Sequence, residues 1–169
     1  MDALFGRPKL KVRYKVLPRE QLEAIEPLWD MLNEHHTGRS THFAAFYDMF
    51  TFDQRMEKFD DRSLRVRIEV ALVDGPNKAH KKAGSNMVAF SLASVTNKSA
   101  GELDSLFVER QYRRRGIGTT LAKRAFAWMD REGALSKSLS VVYGNEEVLS
   151  FYRMFKFYPS RLELNQRLW

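Results

Sequence analysis

Residues 10–17 (LKVRYKVL) set apolar against basic side chains in strict alternation, the signature of a strand with one face inward. From residue 19 to about 36 the period changes, and Leu22, Ile25, Leu28, Trp29 and Leu32 form one helical face, with Pro27 predicting a kink. The stretch 37–41 breaks the pattern. A second helix is predicted over 43–59, placing Phe43, Phe46, Tyr47, Phe50 and Met56 inward as a core stripe. Residues 64–73 and 87–96 alternate again. They predict an antiparallel hairpin, turned at Asp74-Gly75-Pro76-Asn77 and extended by a polar loop to residue 84. A third strand follows over 103–108. From Ile117 the spacing of Ile117, Leu121, Ala125 and Trp128 is helical, and Gly133 can close that helix in a left-handed turn. Residues 139–143 predict a short buried strand. Asn145 then reads as the cap of a helix whose acids Glu146 and Glu147 suit its N-terminus. Residues 157–164 and the tail to Trp169 predict closing strands.

The element order is β-α-α-β-β-β-α-β-α-β, which predicts an α/β fold with a mixed sheet covered by helices on both faces. A chain of 169 residues is one domain with a substantial core, and 44% hydrophobic residues exclude a disordered chain. There is no cysteine, so no disulfide framework, thiolate metal site or cysteine nucleophile. Residues 1–16 lack the apolar core of a signal peptide, and no apolar run reaches membrane-spanning length, so a cytoplasmic protein is expected. The net charge of +7 is uneven: residues 18–61 hold 10 acidic and 4 basic residues, while the remainder holds 24 basic and 11 acidic. A basic surface suits a polyanion, either nucleic acid or a phosphorylated cofactor, and is also what solubility alone would give.

Arg113-Arg114-Arg115-Gly116-Ile117-Gly118-Thr119 falls where strand gives way to helix. A helix start offers free N–H groups and the positive end of the dipole, glycine lets an anion approach closely, and three arginines add charge. A dinucleotide fingerprint would need a third glycine where Leu121 stands, and a P-loop would need Gly-Lys-Ser/Thr; both are missing. The alternative is a solvated basic turn before an ordinary helix.

What remains, Arg113-x-x-Gly116-x-Gly118 after a strand ending in Leu106-Phe107-Val108, resembles the pyrophosphate-binding motif of the GNAT superfamily of N-acetyltransferases, Arg/Gln-x-x-Gly-x-Gly/Ala. Asn145-Glu146-Glu147-Val148-Leu149-Ser150-Phe151-Tyr152 resembles a second signature of that superfamily and stands in the expected order. The resemblance covers residues 64–164. Leu103-Asp104-Ser105-Leu106-Phe107-Val108 and Tyr112-Arg113 resemble most the polyamine (diamine) acetyltransferase branch. Two positions depart from the pattern. Arg114 and Arg115 stand at the usual Arg-Gly-x-Gly, and Lys156 stands where a glycine follows Phe-Tyr.

The resemblance implies a splayed central sheet and acetyl-CoA as cosubstrate. The backbone of Leu106, Phe107 and Val108 would pair with the pantetheine arm, and the amides from Arg114 to Thr119 would cradle the pyrophosphate beside Arg113. Asn145 would contact the arm near the thioester. An alkyl ammonium with a pKa near ~10.4 must lose a proton before it attacks, and a carboxylate acting through water can receive it. Glu102 and Asp104 lie two residues apart on one strand face. Both are candidates, reach favours Glu102, and an exposed pair at a strand start is the plain alternative. Tyr152 stands at the family's acid position, with a buried helix tyrosine as its plain alternative. The Val108 N–H would hold the oxygen of the reacting carbonyl. A primary amine is the implied acceptor, and the acidic balance of residues 18–61 suits a small cationic one. A homodimer joined through the closing strands is common in the family.

His35, His36, His42 and His80 form no metal set. The first two are adjacent and cannot share a helix face, and all four read as surface residues, some bordering the acceptor site. Other classes remain: a protein N-terminal or lysine acetyltransferase, a non-enzymatic CoA-binding module, or an RNA-binding Arg110–Arg115 cluster. The last lacks an aromatic-rich RNP signature.

Overall fold

The computed structural model describes residues 10–74 and 86–166. Five strands make one sheet in chain order: β1 (Val12–Leu17), β2 (Arg65–Val73), β3 (Met87–Val95), β4 (Ala100–Val108) and β5 (Ser136–Ser138). The first four are antiparallel neighbours and β5 runs parallel to β4, so the sheet is mixed, as the element order predicts. β3 is buried along nearly its whole length because both faces are covered. On one face α1 (Glu26–Arg39), α2 (Ala44–Met49) and α3 (Phe52–Met56) pack Leu28, Trp29, Phe52 and Met56 against Ile68, Val70, Phe90, Leu92 and Phe107. On the other, α4 (Ile117–Arg131) sets Ala125, Phe126 and Met129 against Ala93, Val95 and Leu103. Gly133 closes α4 at φ 76°.

The helical region departs from its predicted form. Pro27 does not kink a long helix; residues 19–25 form a 3₁₀ turn, and Pro27 sits in the first turn of α1, where its missing N–H costs nothing. Helix α1 runs on through Gly38 to Arg39, past the predicted break at 37–41. The predicted helix over 43–59 is two short helices and a 3₁₀ turn (Glu57–Asp60), because Thr51 starts α3 with a capping box shared with Gln54. Phe46, expected inside, is exposed, whereas Phe52 and Phe59 are core residues.

The other departures concern the sheet edge. Residues 139–143 form no strand; the only strand after α4 among the described residues is the earlier, three-residue β5, which pairs with Ala100–Glu102. Residues 157–166 also form no strand, and Tyr158, Leu162 and Leu164 are exposed there. The tip of the β2–β3 hairpin from residue 75 and the last three residues of the tail lie outside the described residues.

Beyond Glu102 the edge of β4 is therefore unpaired. Its pairing with β3 also slips there: Ala93 faces Leu103 but Leu92 faces Ser105, so Asp104 is an extra, bulged residue. A bulge bends and twists its strand, which turns β4 away from the chain that follows β5.

Candidate active site

The gap beside β4 exposes main-chain groups. The Glu109 N–H bonds to the Val88 carbonyl across β3. Antiparallel pairing alternates, so Phe107 and Ser105 also turn their peptide groups to β3, while those of Leu106 and Val108 face the gap. Of the three strand residues expected to meet a pantetheine arm, Leu106 and Val108 thus present N–H and C=O, and Phe107 presents its ring to the α1 face of the core. The Val108 carbonyl accepts from Arg113 Nε at 2.8 Å, and the Arg113 guanidinium lies over the Phe107 ring, 5.7 Å from its centroid. Burial draws the Arg113 pKa below its ordinary value.

At the near end of the gap the chain turns into α4. Gly116 takes a left-handed φ of 79° as its N-cap, and the first intrahelical bond runs from Thr120 N–H to the Gly116 carbonyl at 3.0 Å. The N–H groups of Ile117, Gly118 and Thr119 have no acceptor within the helix. The Ile117 side chain is buried and pins the helix start. Gly118 lies against β4 and α5 (Leu149–Arg153): a Cβ there would sit 3.5 Å from Val108 Cγ2 and 3.9 Å from the Phe151 ring. Arg114 and Arg115 are exposed at the turn, and Arg114 adopts a φ of 60°.

A cavity of about 310 Å³ opens where the strands part. Trp29, His36, Tyr47, Phe50 and Arg55 close it from the helical face, residues 102–106 of β4 form its floor, and Val141, Val142, Asn145 and Tyr152 form the far wall. Tyr152 sits edge-on to Phe151 with ring centroids 5.0 Å apart, and burial pushes its pKa up to about 12. Asn145 occupies the position before the last helical segment but makes no side-chain cap. Its Oδ1 instead meets His35 Nε2 at 3.3 Å, and its N–H donates to the Val142 carbonyl.

Glu102 and Asp104 come together on the helical face. Lys58 Nζ donates to Glu102 Oε2 at 2.6 Å and also to Asp104 Oδ1, while Ser94 Oγ donates to Asp104 Oδ2 at 2.6 Å. Arg55 holds the Asp104 carbonyl at 2.9 Å. Burial raises the Asp104 carboxyl above the ordinary carboxylate range, against the pull of Lys58 and Ser94. The sequence does not single out Lys58, Arg55 or Ser94. Arg55 and Lys58 stand three apart on one helical side, but their partners lie more than 40 residues away.

The histidines are not all surface groups. His35 and His36 are half-buried, and His36, in the cavity wall, is pushed down to about 4 by burial, then by His35 and Arg55. His42 is exposed beside Tyr143, and His80 lies outside the described residues. Among the described residues no three His, Cys, Asp or Glu side chains lie close enough to hold a metal ion, and no helix is long and apolar enough to cross a membrane.

The profile of the Acetyltransferase (GNAT) family matches residues 23–157. The chain belongs to that family. It is a GNAT N-acetyltransferase that uses acetyl-CoA, and the match takes in the first helices and stops before the exposed tail. No curated protein sequence matches significantly. Solved structures share the fold at low identity. The aminoglycoside N-acetyltransferase AAC(6')-Iy in complex with CoA is 15% identical with a TM-score of 0.61, over 96% of this chain and 98% of that one. A ribosomal-protein-alanine N-acetyltransferase from Brucella melitensis biovar Abortus 2308 is 15% identical with a TM-score of 0.58, over 94% and 100%. An aminoglycoside acetyltransferase from an uncultured soil metagenomic sample, in complex with sisomicin, is 15% identical with a TM-score of 0.60, over 93% and 96%.

Two features of this acetyltransferase lie close together: a strand edge with Leu106 and Val108 peptide groups turned outward, and a glycine-opened helix start whose first N–H groups have no acceptor within the helix. Both lie along one gap, and the cavity with Tyr152 and the acid pair adjoins it.

Proposed function

We propose that this acetyltransferase moves the acetyl group to a primary amine by direct attack on the thioester. The observation that carries the reading is the single cavity lined by Glu102, Asp104, Asn145 and Tyr152, open to the unpaired edge of β4. Acetyl-CoA supplies the activated acyl group. The N–H groups from Arg114 to Thr119, with Arg113 beside them, hold its diphosphate, and Leu106 and Val108 hold its arm. Asn145, fixed by His35, orients the arm near the thioester. Glu102 or Asp104 receives the acceptor's proton through water, and the Val108 N–H stabilises the developing oxyanion.

Tyr152 serves the leaving thiolate. Its phenol, near 12, stays protonated at any working pH. Full transfer to a thiolate of pKa ~8.5 is uphill by roughly 5 kcal/mol. The hydroxyl therefore acts first as a hydrogen-bond donor to the forming charge.

The acceptor class is a small cationic amine such as a polyamine. A wider groove of about 630 Å³ shares Trp29, Asn33 and Phe50 with the inner cavity and carries Glu26, Asp30, Glu34 and Asp48, which supports a second cationic group outside. The inner end is balanced by Lys58 and Arg55, so it suits one amine rather than several. The openness of that groove also favours a second reading, a peptide N-terminus or lysine as acceptor. Isothermal titration with acetyl-CoA, followed by thiol release with polyamines, amino acids and peptides, separates these. No acetyl-CoA binding removes the enzyme reading; release with peptides alone moves the acceptor to protein. The exposed Tyr158, Leu162 and Leu164 support a homodimer that covers them, which sedimentation tests.

A further inference from the structure

Asp104 is an awkward place for a charge. Its side chain is fully enclosed. A buried carboxylate without a counter-cation takes up a proton rather than stay ionised, and two carboxylates side by side tend to share one. Either outcome would deprive the cavity of a proton acceptor. The groups facing Asp104 come from every element around it. Lys58 reaches it from the 3₁₀ turn after α3, Arg55 from α3 spends its guanidinium on the Asp104 carbonyl, and Ser94 on β3 donates a neutral hydroxyl. Glu102 on β4 adds a second negative charge, and His36 on α1, in the same cavity, is neutral above about 4. Among the described residues Lys58 is thus the one cation hydrogen-bonded to both carboxylates.

We propose that Lys58 is a positioning residue of the acetyl transfer: its ammonium, held between Glu102 and Asp104, keeps the two carboxylates from sharing a proton and so keeps one ready for the acceptor's. This rests on the reading that the pair receives that proton. The geometry suits the task. Lys58 and Glu102 side chains remain about one-third exposed (33% and 36%), so water reaches the rim of the pair, while Asp104 behind them stays dry. A lysine so placed can yield one of its hydrogen bonds to an arriving amine without leaving the other carboxylate bare. Its own pKa is raised by the two acids against the cost of burial, so it remains a cation throughout the working range.

The test compares Lys58→Met, Lys58→Gln and Lys58→Arg with the unaltered enzyme. Acetyl-CoA titration first checks that each is folded, since Lys58 lies away from the helix start. In Lys58→Met and Lys58→Gln the carboxyl titration of Asp104, followed by carbon-13 NMR, should move up by at least one unit. The acid limb of kcat/KM should move with it, by a loss that grows from about twofold at the new midpoint to about tenfold at pH values below the old one. Lys58→Arg should restore both. An Asp104 midpoint unmoved in both neutral variants overturns the proposal. A Glu102→Gln/Asp104→Asn double variant that keeps full kcat overturns the underlying reading instead, whatever the titration shows.

Discussion

Gly144 packs directly on the main chain of Arg39: with a φ of 97°, a methyl group at residue 144 would overlap the Arg39 carbonyl oxygen. This joint fastens the end of α1 to the loop that carries Asn145. The Arg39–Glu147 ion pair at 2.8 Å and the His35–Asn145 contact lie beside it. Gly144→Ala must therefore strain the backbone and push the two segments apart. A loss of at least about 2 kcal/mol is expected, seen as a fall of roughly 4–8 °C in Tm, with weaker acetyl transfer. Gly38→Ala, within α1 and with open space at its Cβ, should instead gain about 0.5–1 kcal/mol. Equal shifts in the two variants would refute the joint.

Arg114 and Lys156 adopt φ values of 60° and 63°, where a side chain is strained and glycine is not. These are two of the positions at which the sequence departs from its family's glycines. Lys156→Gly should stabilise the protein by about 0.5–1 kcal/mol, since relief of strain outweighs the added freedom of the unfolded chain. Arg114→Gly should do likewise while weakening acetyl-CoA binding through the lost charge. Thermal unfolding together with titration calorimetry reads both effects.

The buried Tyr152 links stability to alkaline pH. Its folded pKa of about 12 lies above the unfolded value near ~10. The folded state therefore holds its proton more tightly, and this contribution is complete below about pH 10 and lost as pH rises towards 12. The loss amounts to about 2–3 kcal/mol. Tyr152→Phe should remove that part of the alkaline decline. It should also lower kcat by ~10²-fold or more with little change in acetyl-CoA affinity. Unchanged turnover would strip Tyr152 of its role towards the thiolate.

His36 acts in the opposite direction. Its folded pKa of about 4 lies below the unfolded value near ~6.5, so the folded state refuses a proton that the unfolded chain accepts. Its contribution is present above about pH 6.5 and lost as pH falls to 4, on the order of 3 kcal/mol. Denaturant unfolding of His36→Gln across this range should show a flatter acid limb; a limb as steep as before would place the acid sensitivity elsewhere.

Much of the site was legible because it lies in local pattern. The change from strand to helix around Gly116 and Gly118, and the order of the two motifs, need only neighbouring residues. The gap was implied by the family resemblance and not by the local pattern. Leu139, Val141 and Val142 look like a buried strand, yet they spend their apolar surface on the core and the cavity wall rather than on pairing. The predicted closing strand over 157–164 failed differently: alternation supplies a strand's pattern but not a partner for its peptide groups, and none of the described segments provides one.

By itself the sequence determined the mixed sheet with helices on both faces, the glycine turn that starts α4 and the placing of Glu102 and Asp104 on one strand and of Asn145 and Tyr152 at the last helical segment, because periodicity and turn chemistry act over a few residues. Only the tertiary structure decided which peptide groups of β4 face the gap, since the bulge at Asp104 and the brevity of β5 are properties of pairing. It alone also decided that Lys58 lies between two acids and that His35 holds Asn145. Those contacts join residues 44 and 110 positions apart, and the charge balance of a buried site is set by what folding brings together.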